Sequence, residues 1–229
     1  MVTKMLKMLF EKAISYIKKR PFRFHSNISS GDLVYLACSQ IFPIIRGFIK
    51  FRKLVSIGPF VTIVSKRNLR MGRGVTIKNN TTLDALGKVG LTIGDSSSVG
   101  SYCILRVSGS YSDLGDRIQI GKNVGLGDFA HIGGAGGVII GDETIIGAYF
   151  SVHPENHNFD DLDTPIRAQG VNHQGITIGS NCWVGAKVTI LDGSKVGDGC
   201  VIAAGAVVKG EFPDNAIIGG VPAKILKYR

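Results

Sequence analysis

Aliphatic residues recur along this chain at every sixth position. The longest unbroken series is Ile178, Val184, Ile190, Val196, Ile202 and Val208. This period fits neither an amphipathic α-helix nor an alternating β-strand. It is typical of hexapeptide solenoids, in which short parallel strands coil and each turn stacks on the one before. The pattern therefore predicts an all-β fold built as a β-helix.

Shorter series with the same step begin near Ile57 and recur up to the long C-terminal series. Together they predict a β-helix over residues 55–210. The sequence before it, 1–54, is predicted to be a helical extension, and residues 211–229 form a C-terminal tail.

The repeats break at three places, 84–90, 107–117 and about 153–177. The last break is the longest. Long loops on a rigid scaffold often hold the binding and catalytic residues. We therefore expect the functional site at residues 153–177.

Two apolar segments precede the repeats. Residues 1–20 are predicted to form an amphipathic helix that Pro21 ends. It either packs on the solenoid or a neighbouring subunit, or it anchors the protein peripherally to a membrane. Residues 33–51 are apolar but interrupted by polar residues and proline, so a membrane span is not expected there. That segment either caps the open end of the solenoid or lies at a bilayer interface.

The formal net charge of +10 is concentrated towards the N-terminus. Such an excess favours anionic partners, among them a membrane surface, nucleotide phosphates or an acidic glycan. No recognisable DNA- or RNA-binding motif accompanies the charge, so nucleic acid is not an expected partner.

The four cysteines have no CxxC spacing, which predicts neither a zinc site nor a disulfide framework. Cys182 and Cys200 are one coil apart and are expected to stack as small apolar residues.

Three of the five histidines, His153, His157 and His173, lie in the long loop. Histidine is the side chain most easily used as a general base near neutral pH. No HExxH or other metal-ligand pattern is present, and no metal is expected. From the residues alone, a loop histidine is more often a surface or structural hydrogen-bonding residue than a catalytic one.

Three short motifs, NHNF in the loop, NCWVG at a later turn and GVPAK in the tail, make the region 90–229 resemble the hexapeptide-repeat acyltransferases. It is most similar to the galactoside and maltose acetyltransferase branch and to bacterial polysaccharide O-acetyltransferases. The resemblance implies a left-handed parallel β-helix. It also implies a homotrimer with sites between pairs of subunits, and acetyl-CoA as the acetyl donor.

By the same resemblance, His157 is the base that deprotonates an acceptor hydroxyl, with His153 as the fallback. Asp128, His131, His153 and Trp183 are the residues expected on the acceptor side. Tyr149 and Phe150 are expected to offer a stacking face to a sugar ring. The residues expected to bind coenzyme A are Gly185, Ala186, Ala203, Ala204, Gly205, Lys209 and Lys224.

The resemblance implies transfer of an acetyl group to a sugar hydroxyl of a surface polysaccharide or its precursor. The expected location is the cytoplasm, either free in it or peripheral to the inner face of the cytoplasmic membrane. Two alternatives stay open. One is an N-acetyltransferase acting on an amino sugar or its nucleotide, and the other is a solenoid scaffold without catalysis.

Overall fold

The computed structural model describes residues 2–18 and 21–229, and it shows three parallel sheets wound into a left-handed prism. The first sheet contains Ser56–Ile57, Thr76–Ile77, Ser98–Val99, Gly125–Leu126, Ile145–Ile146, Trp183–Val184, Val201–Ile202, Ala216–Gly220 and Ala223–Tyr228. The second contains Thr62–Val64, Thr82–Asp84, Ile104–Arg106, His131–Gly133, Ser151–His153, Thr189–Leu191 and Val207–Val208. The third contains Leu69–Met71, Gly90–Ile93, Arg117–Ile120, Val138–Ile140, Ile176–Ile178, Lys195–Val196 and Glu211–Phe212.

The sixfold series supplies the inward residues of successive strands. Ile178 faces the core from the third sheet, Val184 from the first and Ile190 from the second, and all three are buried. One coil later, Val196 lies beside Ile178 and Ile202 lies beside Val184. The register therefore stacks like residues along the axis, which confirms the predicted fold.

Close stacking of the coils excludes side chains at some corners. A Cβ added to Gly147 would lie 2.6 Å from the backbone nitrogen of Ala186 in the next coil. Real Cβ contacts do not reach that distance, so the corner requires glycine there.

The coils continue past residue 210, to Gly220. Phe212 and Ile218 are buried in this last coil. Phe212 follows Val208 by four residues instead of six, so the sixfold pattern ends at Val208 and does not predict this last coil. The chain then turns back, and Ala223–Tyr228 pairs antiparallel with Ala216–Gly220 at the end of the first sheet.

Two helices precede the coils, α1 (Val2–Lys18) and α2 (Ser30–Phe51). Ser29 and Asp32 form a reciprocal capping box at the start of α2. The helix packs against the first strand of the solenoid, and α1 packs against α2. A Cβ at Gly47 would lie 2.0 Å from the Val55 carbonyl oxygen, so glycine permits this close approach. Thus α2 lies against the first coil at the N-terminal end of the prism.

The thiols of Cys182 and Cys200 are buried and free in neighbouring coils, each directly before a strand of the first sheet. Burial raises the pKa of Cys182 to about 11. Both side chains therefore act as small apolar groups in the core at neutral pH.

Candidate functional site

The long loop leaves the prism after Ser151–His153 of the second sheet and returns at Ile176–Ile178 of the third. It therefore projects from the corner between these two sheets. Within it, Asn156–His157 and Val171–Asn172 form a small antiparallel ladder, and Ile166–Ala168 is a 3₁₀ turn.

The base of the loop is tied to the solenoid by Asp192, a carboxylate that is only 4% exposed. Its oxygens accept hydrogen bonds from the backbone nitrogens of Gln174 and Gly175, at 2.8–3.0 Å. One oxygen also accepts from the Asn156 side chain at 3.0 Å. Both ends of the loop thus meet at one buried anion. Asp192 is not predictable as a site residue from the sequence, because it lies outside the loop and its neighbours along the chain give no signal.

His157 is held through its backbone rather than through its ring. It pairs with Val171 in the antiparallel ladder, and its imidazole is exposed. The next residue, Asn158, accepts from the Asn172 side chain at 2.6 Å and donates to the Gln169 carbonyl at 3.0 Å. The scaffold therefore fixes the position of His157 and leaves its ring open to a ligand.

His131 and His153 lie together on the outer face of the second sheet. Their ring centroids are 5.7 Å apart at an interplanar angle of 23°. His153 Nε2 lies 2.7 Å from the Ser151 hydroxyl oxygen. Partial burial, followed by the neighbouring His153 and Arg106, lowers the pKa of His131. The depressed pKa favours the neutral imidazole of His131 at pH 7.

We expect His153→Ala to raise the pKa of His131, because the substitution removes the second largest cause of its depression. In the wild type, the folded-state pKa lies below the ordinary value of 6.5. Protonation then opposes folding, so this group lowers stability as the pH falls below that value. An NMR titration of the imidazole signals would measure the shift. An unchanged His131 pKa in the variant would contradict a coupling between the two rings.

His173 connects the long loop to the earlier break in the repeats. Its Nδ1 lies 3.8 Å from a Glu155 carboxylate oxygen, and its Nε2 lies 3.7 Å from a carboxylate oxygen of Asp113. This ring, flanked by carboxylates on both sides, joins two irregular segments and is less open than that of His157.

Asp128 stabilises a turn of the solenoid by a hydrogen bond from the backbone of the preceding coil. One carboxylate oxygen accepts from the backbone nitrogen of Ser101 at 2.8 Å and lies 3.6 Å from Lys78 Nζ. The side chain is nevertheless partly exposed at the corner between the first and second sheets.

Three aromatic rings run along this same corner. Tyr102, Phe129 and Tyr149 stack with centroids 5.1 and 5.0 Å apart and nearly parallel planes. Each is partly exposed at the turn of successive coils. Phe150, expected to share a stacking face with Tyr149, is instead fully buried, because the residue after the turn points into the core. We call the three exposed rings the aromatic ladder.

Beyond Tyr149 the same corner loses its large rings. The next two coils place there the five small residues expected to bind coenzyme A: Gly185, Ala186, Ala203, Ala204 and Gly205. A Cβ at Gly185 would lie 2.5 Å from the Ala204 nitrogen, so the stacking itself requires that glycine. At Gly205 a Cβ would meet no atom within 4 Å. After the aromatic ladder, the corner therefore has no large ring, and its backbone is exposed to solvent. We call this part of the corner, formed by the five small residues, the stepped corner.

The second sheet lies between these two features. One edge is the corner with the small residues, the opposite edge is the corner that projects His157, and His131 and His153 lie on the face between them. Lys209 directly follows the last strand of this sheet and is exposed. A single chain thus collects most of the predicted site residues on one face of the prism.

Trp183 and Lys224 lie elsewhere. Trp183 is 61% exposed on the outer face of the first sheet, paired on either side with Ile145 and Val201. Lys224 belongs to the final strand of that sheet and is also exposed. One chain alone therefore does not bring Trp183 to the face that holds His157.

Among residues 2–18 and 21–229, no three His, Cys, Asp or Glu side chains converge in a way that could hold a metal ion.

Comparison with known proteins gives two kinds of match. Residues 175–210 match the family described as bacterial transferase hexapeptide (six repeats). The probable acetyltransferase Rv3034c of Mycobacterium tuberculosis is 30% identical over 167 residues, which are 73% of this chain and 52% of that protein. The galactoside O-acetyltransferase of Escherichia coli is 32% identical over 122 residues, 51% of this chain and 57% of that protein. This chain thus spans a little over half the length of these curated relatives.

Among solved structures, a mutant of AntD, an N-acyltransferase from Bacillus cereus, has a similar fold. It was crystallised with dTDP-4-amino-4,6-dideoxyglucose and coenzyme A. The TM-score is 0.54 at 18% identity, over 81% of this chain and 89% of that one.

Proposed function

We propose that this chain is a hexapeptide-repeat transferase and that it moves an acetyl group from acetyl-CoA to a sugar hydroxyl. The observation that carries the proposal is the outer face of the second sheet. Along one edge of this face lies His157, exposed and held by its backbone. Along the other edge lies the stepped corner, where backbone is exposed. An acceptor lying on this face would have the base on one side and the thioester on the other.

In the proposed reaction, His157 takes the proton of the acceptor hydroxyl as its oxygen attacks the thioester carbonyl. A sugar hydroxyl has a pKa far above neutrality, so the base is needed at the moment of attack. The tetrahedral intermediate then collapses, the carbon–sulfur bond breaks, and the leaving thiolate takes the proton back from the imidazolium. Atoms and charges balance without a metal or a redox partner.

The small residues at the stepped corner are proposed to bind the pantetheine arm of the donor. Ala186, Ala204 and Gly205 are exposed there, so a slender chain can reach their backbone groups. Lys209 and Lys224 are proposed to meet the phosphates of coenzyme A by charge-assisted hydrogen bonds. On the acceptor side, His131 and His153 offer ring nitrogens, and the exposed edges of the aromatic ladder offer apolar contact.

We also propose a homotrimer, in which a neighbouring chain completes each site. The first sheet presents Ile145 and Trp183, both more than 60% exposed, next to Val201. Exposed apolar rows of this kind commonly mark contacts between proteins. A neighbour packed here would bring Trp183 to a site that a single chain does not complete.

The test is release of coenzyme A thiol from acetyl-CoA in the presence of sugars, glycan fragments and amino-sugar nucleotides. We expect turnover that depends on a hydroxyl acceptor. Turnover with amino sugars alone would favour the N-acyltransferase alternative. AntD, which has a similar fold, is an N-acyltransferase crystallised with an amino-sugar nucleotide. No turnover together with no heat of coenzyme A binding would favour a scaffold without catalysis.

Filling the stepped corner should block the donor. We expect Ala204→Phe to raise the dissociation constant of coenzyme A by about tenfold or more, since a ring there occupies the space beside the exposed backbone. Isothermal titration calorimetry measures the change. Ile139→Phe, on the outer face of the third sheet, is the matched control and should bind coenzyme A as the wild type does. Equal binding by Ala204→Phe would place the donor elsewhere.

A further inference from the structure

Helix α2 has two apolar faces, and only one of them packs on the solenoid. Leu33 and Gly47 are the buried residues of α2, and Gly47 lies against Val55 of the first coil. The opposite side is formed by six residues that fall together at helical spacing and are each between 48 and 70% exposed: Val34, Ile41, Phe42, Ile45, Phe48 and Ile49. We call these six residues the outer face of α2. An ordinary surface helix would present polar side chains there.

The first helix also carries exposed apolar side chains. Met5, Met8 and Leu9 of α1 are each about half exposed, although α1 packs against α2. Large contiguous apolar surfaces on soluble proteins mark contact sites for another molecule.

The charge of the chain is concentrated at the same end. Residues 1–73 contain 15 of the 27 Lys and Arg residues but 2 of the 17 Asp and Glu residues. Their formal net charge is therefore +13, and that of residues 74–229 is −3. The protein is an electrical dipole with its positive end at the helices.

The first coil brings part of this charge next to α2. The Lys66 ammonium donates to the Lys50 carbonyl oxygen and lies 5.1 Å from the centroid of the Phe51 ring. Arg67, Arg70 and Arg73 follow on the same coil and are exposed. Exposed aliphatic and aromatic groups thus lie beside a cluster of cations.

We propose that the outer face of α2 and the basic first coil bind an acidic lipid bilayer, with α2 lying in the interface. The apolar side chains would enter the acyl boundary while the cations meet lipid phosphates. Binding to the bilayer would hold the second sheet near acceptors that are attached to lipid. It also agrees with the location expected at the inner face of a membrane. This inference does not depend on the reaction proposed above.

Other occupants fit less well. Nucleic acid would meet the cations but would leave the six apolar side chains unburied. A second copy of this end would set two strongly positive surfaces against each other. By length and composition α2 could also cross a membrane, but a crossing would remove Gly47 from its close contact with Val55 of the first coil.

The experiment is co-sedimentation of the full chain with phosphatidylcholine vesicles containing about 30 mol% phosphatidylglycerol, against vesicles of phosphatidylcholine alone. We expect binding to the acidic vesicles that weakens as salt rises from about 0.1 to 0.5 M. The double variant F42S/I49S should bind about tenfold or more weakly, because two of the most exposed apolar groups are lost. The triple variant R67Q/R70Q/R73Q should lose most of the preference for acidic vesicles.

The matched control is V221S/L226S at the opposite end of the solenoid, where the two side chains are 71 and 63% exposed. It should bind vesicles as the wild type does. Wild-type binding by F42S/I49S, or no sedimentation of the wild type, would overturn the proposal. So would a fall in the molar mass of F42S/I49S by light scattering, which would assign the outer face of α2 to a contact between copies. Resistance of membrane-bound protein to alkaline carbonate extraction would overturn the interfacial orientation in favour of a span, and salt-sensitive RNA binding without vesicle binding would favour nucleic acid.

Discussion

Replacing His157 by alanine is expected to lower the rate of acetyl transfer by about two to four orders of magnitude. The ring is exposed and the position is held by the backbone ladder with Val171, so the substitution removes the base and leaves the loop in place. Binding of coenzyme A should be unchanged, since the donor is expected at the opposite edge of the second sheet. Thiol release measures the rate, and calorimetry measures the donor.

His153→Ala and His173→Ala are the comparisons that make this result specific. The His153 ring contacts Ser151 and His131 on the acceptor face, so its loss is expected to affect mainly the KM for the acceptor. His173 joins two irregular segments through carboxylates, and its loss should have a smaller effect on the rate. If His157→Ala retains its turnover and His153→Ala does not, the base is His153.

Asp192→Asn is expected to release the long loop while the solenoid stays folded. Asparagine keeps one acceptor oxygen, but its amide would present hydrogens to groups that are already donors: two backbone N–H groups and the Asn156 amide. Each hydrogen bond to a buried charge is worth about 1.5–3 kcal/mol. Because small displacements of a catalytic group cost about a hundredfold in rate, the acetyl-transfer rate should fall by at least tenfold.

Limited proteolysis gives a readout of Asp192→Asn that does not depend on activity. We expect faster cleavage within residues 155–173 of this variant and an unchanged solenoid signal by circular dichroism. Asp198→Asn is the matched control, because Asp198 caps the turn at Ser180 outside the loop and is exposed. Equal protease sensitivity of the two variants would show that Asp192 does not hold the loop.

The repeats were predictable because one coil repeats the same local requirement. Each short strand needs one apolar residue pointing inward, and each coil needs small residues at its tight corners. Those requirements recur at a fixed spacing and can be counted along the chain. The same reasoning failed at Phe212, where a step of four residues replaces a step of six and the coil continues past the predicted boundary.

The candidate site was less predictable, because its geometry depends on contacts between distant residues. The loop and its histidines are visible as a break in the repeats, but the attachment of Asn156 to Asp192 spans 36 residues. Tyr149 and Phe150 are equally aromatic neighbours, yet one lies in the exposed ladder and the other in the core. Their difference is set by the direction of the chain at the corner.

By itself, the sequence determined the coiled architecture, the position of the long loop and the helical character of the segment before the coils, since hydrophobic periodicity is a local property. Only the tertiary structure decided which residues share a face. Winding the chain into three sheets places residues from separate coils side by side, which sets His131 against His153 and leaves Trp183 on another face. It also decided that α2 buries one apolar face and exposes the other, because only the docked helix shows which side the solenoid covers.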